Sequence, residues 1–323
     1  MKAATLIVLA ALTISGCQDK PVVQSGSGVS GSGTPGIQFN ADRSWNDLVK
    51  QCSYGPRVPN TGDTGAHKQC EDYILDEMKK SCDDAHAQVF SYYWKHGHHE
   101  LKMANLIGTQ NWKDAKVRVV LLAHWDSRPE ADQDPNPANH NTPILGADDG
   151  ASGVAVLLEL ARVMKGRVPK GLGVMYFMTD GEDVGPDSAE MYLGVKEFMR
   201  DLQAPRPNYG ILLDMIGNKG VRVPMEPGSL VGQSGLVEMA FYKHAKEIGL
   251  GDTFPDVNGP EIEDDHLVLI HGGIPTIDLI DFNYVPWHTL QDTVDKCSPD
   301  SLKQIGTALE SWLLQDPPFA LPK

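Results

Sequence analysis

Five side chains able to bind a metal recur along this sequence in the same kind of place. His124 follows the apolar run Val117 to Ala123, and Asp149 closes the motif Gly146-Ala147-Asp148-Asp149. Asp183 ends Asp180-Gly181-Glu182-Asp183, Asp214 follows Leu212-Leu213, and His288 stands in Val285-Pro286-Trp287-His288-Thr289. A lone Asp after an apolar run is usually a helix cap or a turn residue. Five such positions in series point instead to one shared edge. Imidazoles and carboxylates without neighbouring cysteines are the donor set of a catalytic zinc. Glu182 and Asp183 are adjacent, and two adjacent carboxylates at a strand end cannot both face one ion, so one binds metal while the other handles protons. Trp125 and Trp287 flank the two histidines and suit either plain core packing or the wall of a substrate pocket.

The elements that must carry these residues follow from periodicity. The runs before His124, Asp180 and Asp214, and the run Ile274 to Ile280, are apolar, β-branched and too short for helices, as strands covered on both faces should be. Between them lie helical patterns at Ala151 to Met164, Ala189 to Leu202 and about Leu236 to Ile248, with a last one at about Pro299 to Leu314. Upstream, helices are expected from Asn40 to about Cys52 and from Thr64 to about Lys80. A hairpin of Gln88 to Trp94 and Lys102 to Thr109 follows. Alternating strands and helices give a single α/β domain whose central sheet is mixed and mainly parallel, flanked by helices. Ligands carried on such a sheet gather at the carboxyl ends of its strands.

With 28 Lys and Arg against 43 Asp and Glu, the formal charge of the 323-residue chain is −15. That surface repels phosphate backbones and argues against a nucleic-acid partner. Residues 1–17 combine Lys2, an apolar core and Ile14-Ser15-Gly16-Cys17, which resembles a bacterial lipobox and implies a lipoprotein signal peptide with lipidation at Cys17. Residues 18–37 are Gly- and Ser-rich and suit a flexible tether, leaving 38–323 as the catalytic domain. The membrane would be met through the lipid anchor only, in a bacterial cell envelope, with Gln18 after the acylated Cys17 favouring the outer membrane. In an oxidising compartment Cys52, Cys70, Cys82 and Cys297 are expected to form two disulfides. Cys70 and Cys82 fall in one helix about 18 Å apart and cannot pair with each other. Either Cys52 pairs with Cys70 and Cys82 with Cys297, or Cys52 pairs with Cys82 and Cys70 with Cys297.

The ordered set His124-Trp125-Asp126, Gly146-Ala147-Asp148-Asp149, Asp180-Gly181-Glu182-Asp183, Leu213-Asp214, Asp264-Asp265-His266 and Trp287-His288-Thr289 resembles the M28 family of zinc aminopeptidases, and within it the glutaminyl-peptide cyclotransferase branch. The resemblance spans most of residues 40–320. It implies one zinc held by Asp149, Asp183 and His288, with Glu182 moving protons and Asp214 and Asp264 in a hydrogen-bond network beside the substrate. Family peptidases have a Ser where Asp264 stands, and they hold a second zinc through the residues matching His124 and Asp214. Cyclases of the branch carry a Trp in the segment matching Asp183 to Gly194, where this chain has none and Met191 lies near that place. The implied reaction is cyclisation of an N-terminal glutamine of a peptide or protein to pyroglutamate with release of ammonia. The alternative is a di-zinc aminopeptidase that hydrolyses N-terminal residues. A third class, a metal-bearing peptide-binding lipoprotein without turnover, is disfavoured by the presence of Glu182.

Overall fold

The computed structural model describes residues 36–59 and 64–322. The expected signal segment, Cys17 and nearly all of the tether therefore lie outside the described residues. Among those described, the chain forms helices α1 (Ala41–Ser53) and α2 (Ala66–Ser81), strands β1 (Asp84–Trp94), β2 (His99–Gln110) and β3 (Val117–His124), and helix α3 (Ala151–Met164). There follow β4 (Leu172–Thr179), α4 (Leu193–Asp201), β5 (Tyr209–Asp214), α5 (Gly232–Glu247), α6 (Asp265–His271), β6 (Thr276–Ile280) and α7 (Pro299–Leu313). No helix among the described residues is long and apolar enough to cross a membrane.

The six strands form one mixed sheet in the order β1-β2-β4-β3-β5-β6. β1, β2 and β4 pair antiparallel, whereas β4, β3, β5 and β6 run parallel. The α/β expectation is met. Alternation along β3 sorts its side chains between two cores. Val119, Leu121 and Ala123 face the larger one with α1, α2, α3, α5 and α7, while Val120 and Leu122 face a smaller one with α4 and α6. α3 is buried along almost its whole length, which explains why its sequence is apolar all round rather than on one stripe. After β3 the chain pairs first with β4 on one side and later with β5 on the other. Strand order thus reverses at β3, and the carboxyl ends around that point are where open α/β sheets bind ligands.

Several elements differ from the periodicity reading: β1, β2 and α5 begin three or four residues earlier than expected, at Asp84, His99 and Gly232, and α4, β6 and α6 differ for identifiable reasons. α4 begins at Leu193 instead of Ala189 because Tyr192 takes a left-handed conformation and the backbone N–H groups of Tyr192 and Leu193 donate to Glu182 and Gly181. β6 begins one residue after Pro275, which has no N–H to give the ladder. α6, seven residues long, is too short to register as a period. The expected disulfides are not formed: Cys52, Cys70, Cys82 and Cys297 are free thiols. Cys82 packs over Gly108 of β2, while Cys52 and Cys70 belong to the larger core. Burial pushes the Cys52 and Cys70 thiols up to about 11 and about 12, which keeps them protonated and unreactive.

Candidate metal centre

His124 ends β3, Asp214 ends β5, Asp183 follows β4 and His288 follows β6, so four parallel strands deliver them to one edge. Asp149 reaches the same edge from the turn before α3. That turn requires Gly150, whose φ is 94° and whose position leaves no room for a side chain. A Cβ there would stand 2.7 Å from the carbonyl oxygen of Asp126 and 2.9 Å from Cε1 of His124. His288 also sits in the left-handed region, at φ 53°, with its ring stacked on Trp287 at 3.9 Å.

Two triads result, and they share Asp149. His124 Nε2 lies 3.0 Å from Asp149 Oδ1 and 3.4 Å from Asp214 Oδ1. His288 Nε2 lies 3.6 Å from Asp149 Oδ2 and 3.3 Å from Asp183 Oδ1. In each triad the donor atoms lie within 4.8 Å of one another. Zinc binds N and O ligands at about 2.0–2.2 Å, which spaces the ligand atoms of one tetrahedron by about 3.3 Å. The residues fit such an ion in a second way. Both ring nitrogens of His124, Oδ2 of Asp149, Oδ2 of Asp183 and Oδ1 of Asp214 are buried with no hydrogen-bond partner. Buried polar atoms normally find partners, and a cation between them would supply one to the carboxylate oxygens and to Nε2 of His124, though not to its Nδ1.

Electrostatics follow from so many carboxylates in a dry pocket. Burial and the adjoining Asp183 push the Glu182 carboxyl well above the usual range. Burial opposes the charging of His288, but Asp183 and Asp132 outweigh it and raise the imidazole to about 9. Burial likewise opposes the charging of His124, yet Asp126, Asp149 and Asp214 lift it well above the ordinary histidine value. These shifts describe the ligands without an ion; a bound divalent cation takes over the role of the proton.

The ligand edge is braced by residues whose charges look like loop solvation in the sequence. Asp126 accepts the backbone N–H groups of Glu182 and Asp183 at 3.2 and 3.3 Å. Asp292 accepts those of Asp148 and Asp149 at 2.9 and 3.2 Å and the Tyr284 hydroxyl at 2.7 Å. Asp148, adjacent to a ligand, is itself structural, its Oδ1 accepting the Gly217 N–H at 2.6 Å. A family model described as Peptidase family M28 matches residues 105–313, the stretch that carries all five candidate ligands.

The chain belongs to the M28 peptidase family.

Several solved relatives share the whole architecture. A Zn-dependent exopeptidase from Parabacteroides distasonis is 35% identical with a TM-score of 0.81, covering 88% of this chain and all of its own. A glutaminyl cyclase from Bacteroides thetaiotaomicron is 34% identical with a TM-score of 0.80, covering 85% of this chain and 97% of its own. The curated aminopeptidase YwaD of Bacillus subtilis is 26% identical over 211 residues, 62% of this chain and 42% of the relative. The chain thus spans about two fifths of the length of the curated relatives it matches. As an M28 protein it is read as a zinc enzyme, and its neighbours include both exopeptidases and cyclases.

The two tryptophans fare differently in this M28 site. Trp125 does not line a pocket: it is fully buried, stacks on His67 at 4.2 Å and donates from Nε1 to the Ala104 carbonyl at 3.0 Å. The pleat turns it inward, away from the edge that His124 faces. Trp287 stays partly exposed between Phe282 and His288 and is available to a substrate. Asp264 caps α6, accepting the Asp265 N–H through Oδ1, and leaves Oδ2 buried without a partner. Sequence reading missed Arg128 and Asp132. They sit in a Pro-, Asn- and Asp-rich loop where charge is the default, and no periodic signal singles them out.

Proposed function

We propose that this protein is a zinc-dependent glutaminyl-peptide cyclotransferase. The observation that carries the reading is Asp264. It is buried beside Asp214, and burial together with the Asp214 charge raises its carboxyl well above the ordinary range. Asp264 Oδ2 and Asp214 Oδ1 both lack a hydrogen-bond partner, and a carboxyl that keeps its proton there could supply one to Asp214 in place of a second metal. A Ser at this position lacks that acidity, and Ser is what family peptidases carry.

In this reading Asp149, Asp183 and His288 hold the ion, and the α-amine of an N-terminal glutamine attacks its own γ-carboxamide. Bound zinc would polarise the carboxamide oxygen and stabilise the negative charge that develops on it. Glu182, at 8% exposure and with its carboxyl raised, takes the amine proton and passes it to the departing ammonia. Nucleophile and electrophile belong to one residue, so the substrate itself supplies much of the proximity. Trp287 offers an apolar wall to the glutamine side chain. Lipidation at Cys17 and placement in the bacterial envelope belong to the same proposal.

A second reading, a di-zinc aminopeptidase, is favoured by the sharing of Asp149 between two complete triads. Mass spectrometry of a Gln-initiated and a Leu-initiated peptide after incubation with the zinc-loaded protein separates the two. The cyclase reading expects loss of one ammonia from the Gln peptide with its chain intact and an unchanged Leu peptide. Release of the first residue from either peptide refutes it in favour of the aminopeptidase.

A further inference from the structure

The loop after β3 holds a charged pair that the chemistry above does not use. Arg128 is buried, and its Nη1 donates to Asp183 Oδ1 at 2.9 Å while its Nε donates to Asp132 Oδ1 at 2.6 Å. Nη1 also reaches the carbonyl oxygen of Gly185 at 3.3 Å. Asp132 Oδ1 in turn faces His288 Nδ1 at 3.4 Å. The same loop grips the His288 segment through the backbone. Gln133 N–H donates to the His288 carbonyl at 3.1 Å, and Asp134 accepts the Leu290 N–H at 3.1 Å.

This arrangement distinguishes the two triads. For His288 to offer Nε2 to an ion, its proton must sit on Nδ1, which has no hydrogen-bond partner here, and Asp132 Oδ1, 3.4 Å away, is the acceptor that can close on it. Arg128 holds Oδ1 of Asp183, the oxygen 3.3 Å from His288 Nε2, while Oδ2 has no partner. Its charge also offsets the mutual repulsion of Asp132, Asp149 and Asp183 before any metal arrives. Among the described residues no Lys or Arg pairs with His124, Asp149 or Asp214. Asp126 stands 3.6 Å from His124 Nδ1 much as Asp132 stands from His288, but it is held by two backbone N–H groups and not by an Arg. We propose that Arg128 and Asp132 are positioning residues that make Asp149, Asp183 and His288 the first and tighter of the two sites to fill. This rests on the metal-binding part of the functional reading and holds for a cyclase and an aminopeptidase alike.

Stepwise titration of the metal-free protein with cobalt(II), followed by proton NMR, reads the filling order directly. The first equivalent should produce one exchangeable, hyperfine-shifted imidazole N–H, identified as His288 by cross-relaxation with the Trp287 ring stacked 3.9 Å away. In Asp132→Ala that resonance should be lost to exchange, and chelator competition should show the first zinc bound about 10–100-fold more weakly. Asp132→Asn, which keeps an acceptor, should restore the resonance and most of the affinity. Two histidine N–H signals growing together from the first addition in wild type would overturn the proposal without any variant. So would wild-type affinity and a retained N–H signal in a folded Asp132→Ala. Wild type that takes up no cobalt or zinc would refute the metal reading itself, a different result from either.

Discussion

Glu182 and Asp183 are consecutive, yet their side chains do different work because Asp126 fixes the peptide between them. With both backbone N–H groups held, Asp183 points to His288 and Arg128, while Glu182 Oε2 comes within 3.9 Å of His124 Nδ1. Glu182→Gln keeps the size and the backbone contacts but removes the exchangeable proton. Zinc content should stay at the wild-type level while kcat falls about 10²–10⁴-fold, the usual contribution of a positioned acid or base. Metal analysis alongside turnover on a Gln peptide checks this, and retained activity would reassign the base. At this scale most of the candidate ligands were legible as a His or Asp close behind an apolar run, and Asp149 by its glycine-flanked motif ahead of an apolar helix. Asp132 and Asp292 were not, and Asp126, though part of the motif His124-Trp125-Asp126, gave no sign of its bracing role. In a sequence, a carboxylate locked onto buried N–H groups reads the same as one solvated in a loop. Trp125 misled for the opposite reason, since its neighbour His124 faces the site and a pleated strand sends the next residue the other way.

Among the elements, α3 depends on a single residue at its start. It begins at the ligand edge, and Gly150 lets the chain pass from Asp149 into the helix between Asp126 and His124. In Gly150→Ala both the backbone angle and the added methyl are unfavourable. The apo protein should lose about 2 kcal/mol or more in denaturant unfolding, and zinc affinity should fall with it as Asp149 is displaced. An unfolding midpoint equal to wild type would mean that the turn relaxes freely. The central strands and α3 were readable because uniformly apolar runs of their lengths have few alternatives inside an α/β sheet. α6 was not, since seven residues hold under two helical turns, although its cap Asp264 was already marked by family resemblance. The cysteine pairings failed because even parity and an oxidising setting say nothing of where packing leaves each thiol. Cys82 is committed to Gly108, and Cys52 and Cys70 serve as small apolar side chains in the core.

For the molecule as a whole, acidity makes itself felt well away from the metal edge. Asp47 on α1 accepts the Tyr73 hydroxyl at 2.5 Å, yet burial outweighs that bond and raises its carboxyl to about 6 from an ordinary 3.8. The folded state therefore holds this proton more tightly than the unfolded chain does. Its contribution to stability falls as pH rises from about 4 to about 6 and stays low above that. Asp47→Asn, which keeps an acceptor for Tyr73, should raise the thermal midpoint at pH 7.5 more than at pH 4.5. An equal shift at both values would show that Asp47 is ordinary.

At the start of the described chain, the Gly36 carbonyl accepts from Arg167, the N–H groups of Gln38 and Phe39 donate to Glu310 of α7, and Asn40 N–H donates to Glu159 of α3. Phe39 covers Gly306, where a Cβ would stand 2.2 Å from its ring. Glu159 lies more than halfway along a 14-residue helix whose other end meets the ligands. Mechanically, that seam would be the first part of the fold to meet a pull on the chain. Tension applied through residue 36 enters two buried carboxylates and spreads into the helical layer at the far end of α3. Peeling would start there, leaving the ligand edge unloaded until the seam gives way.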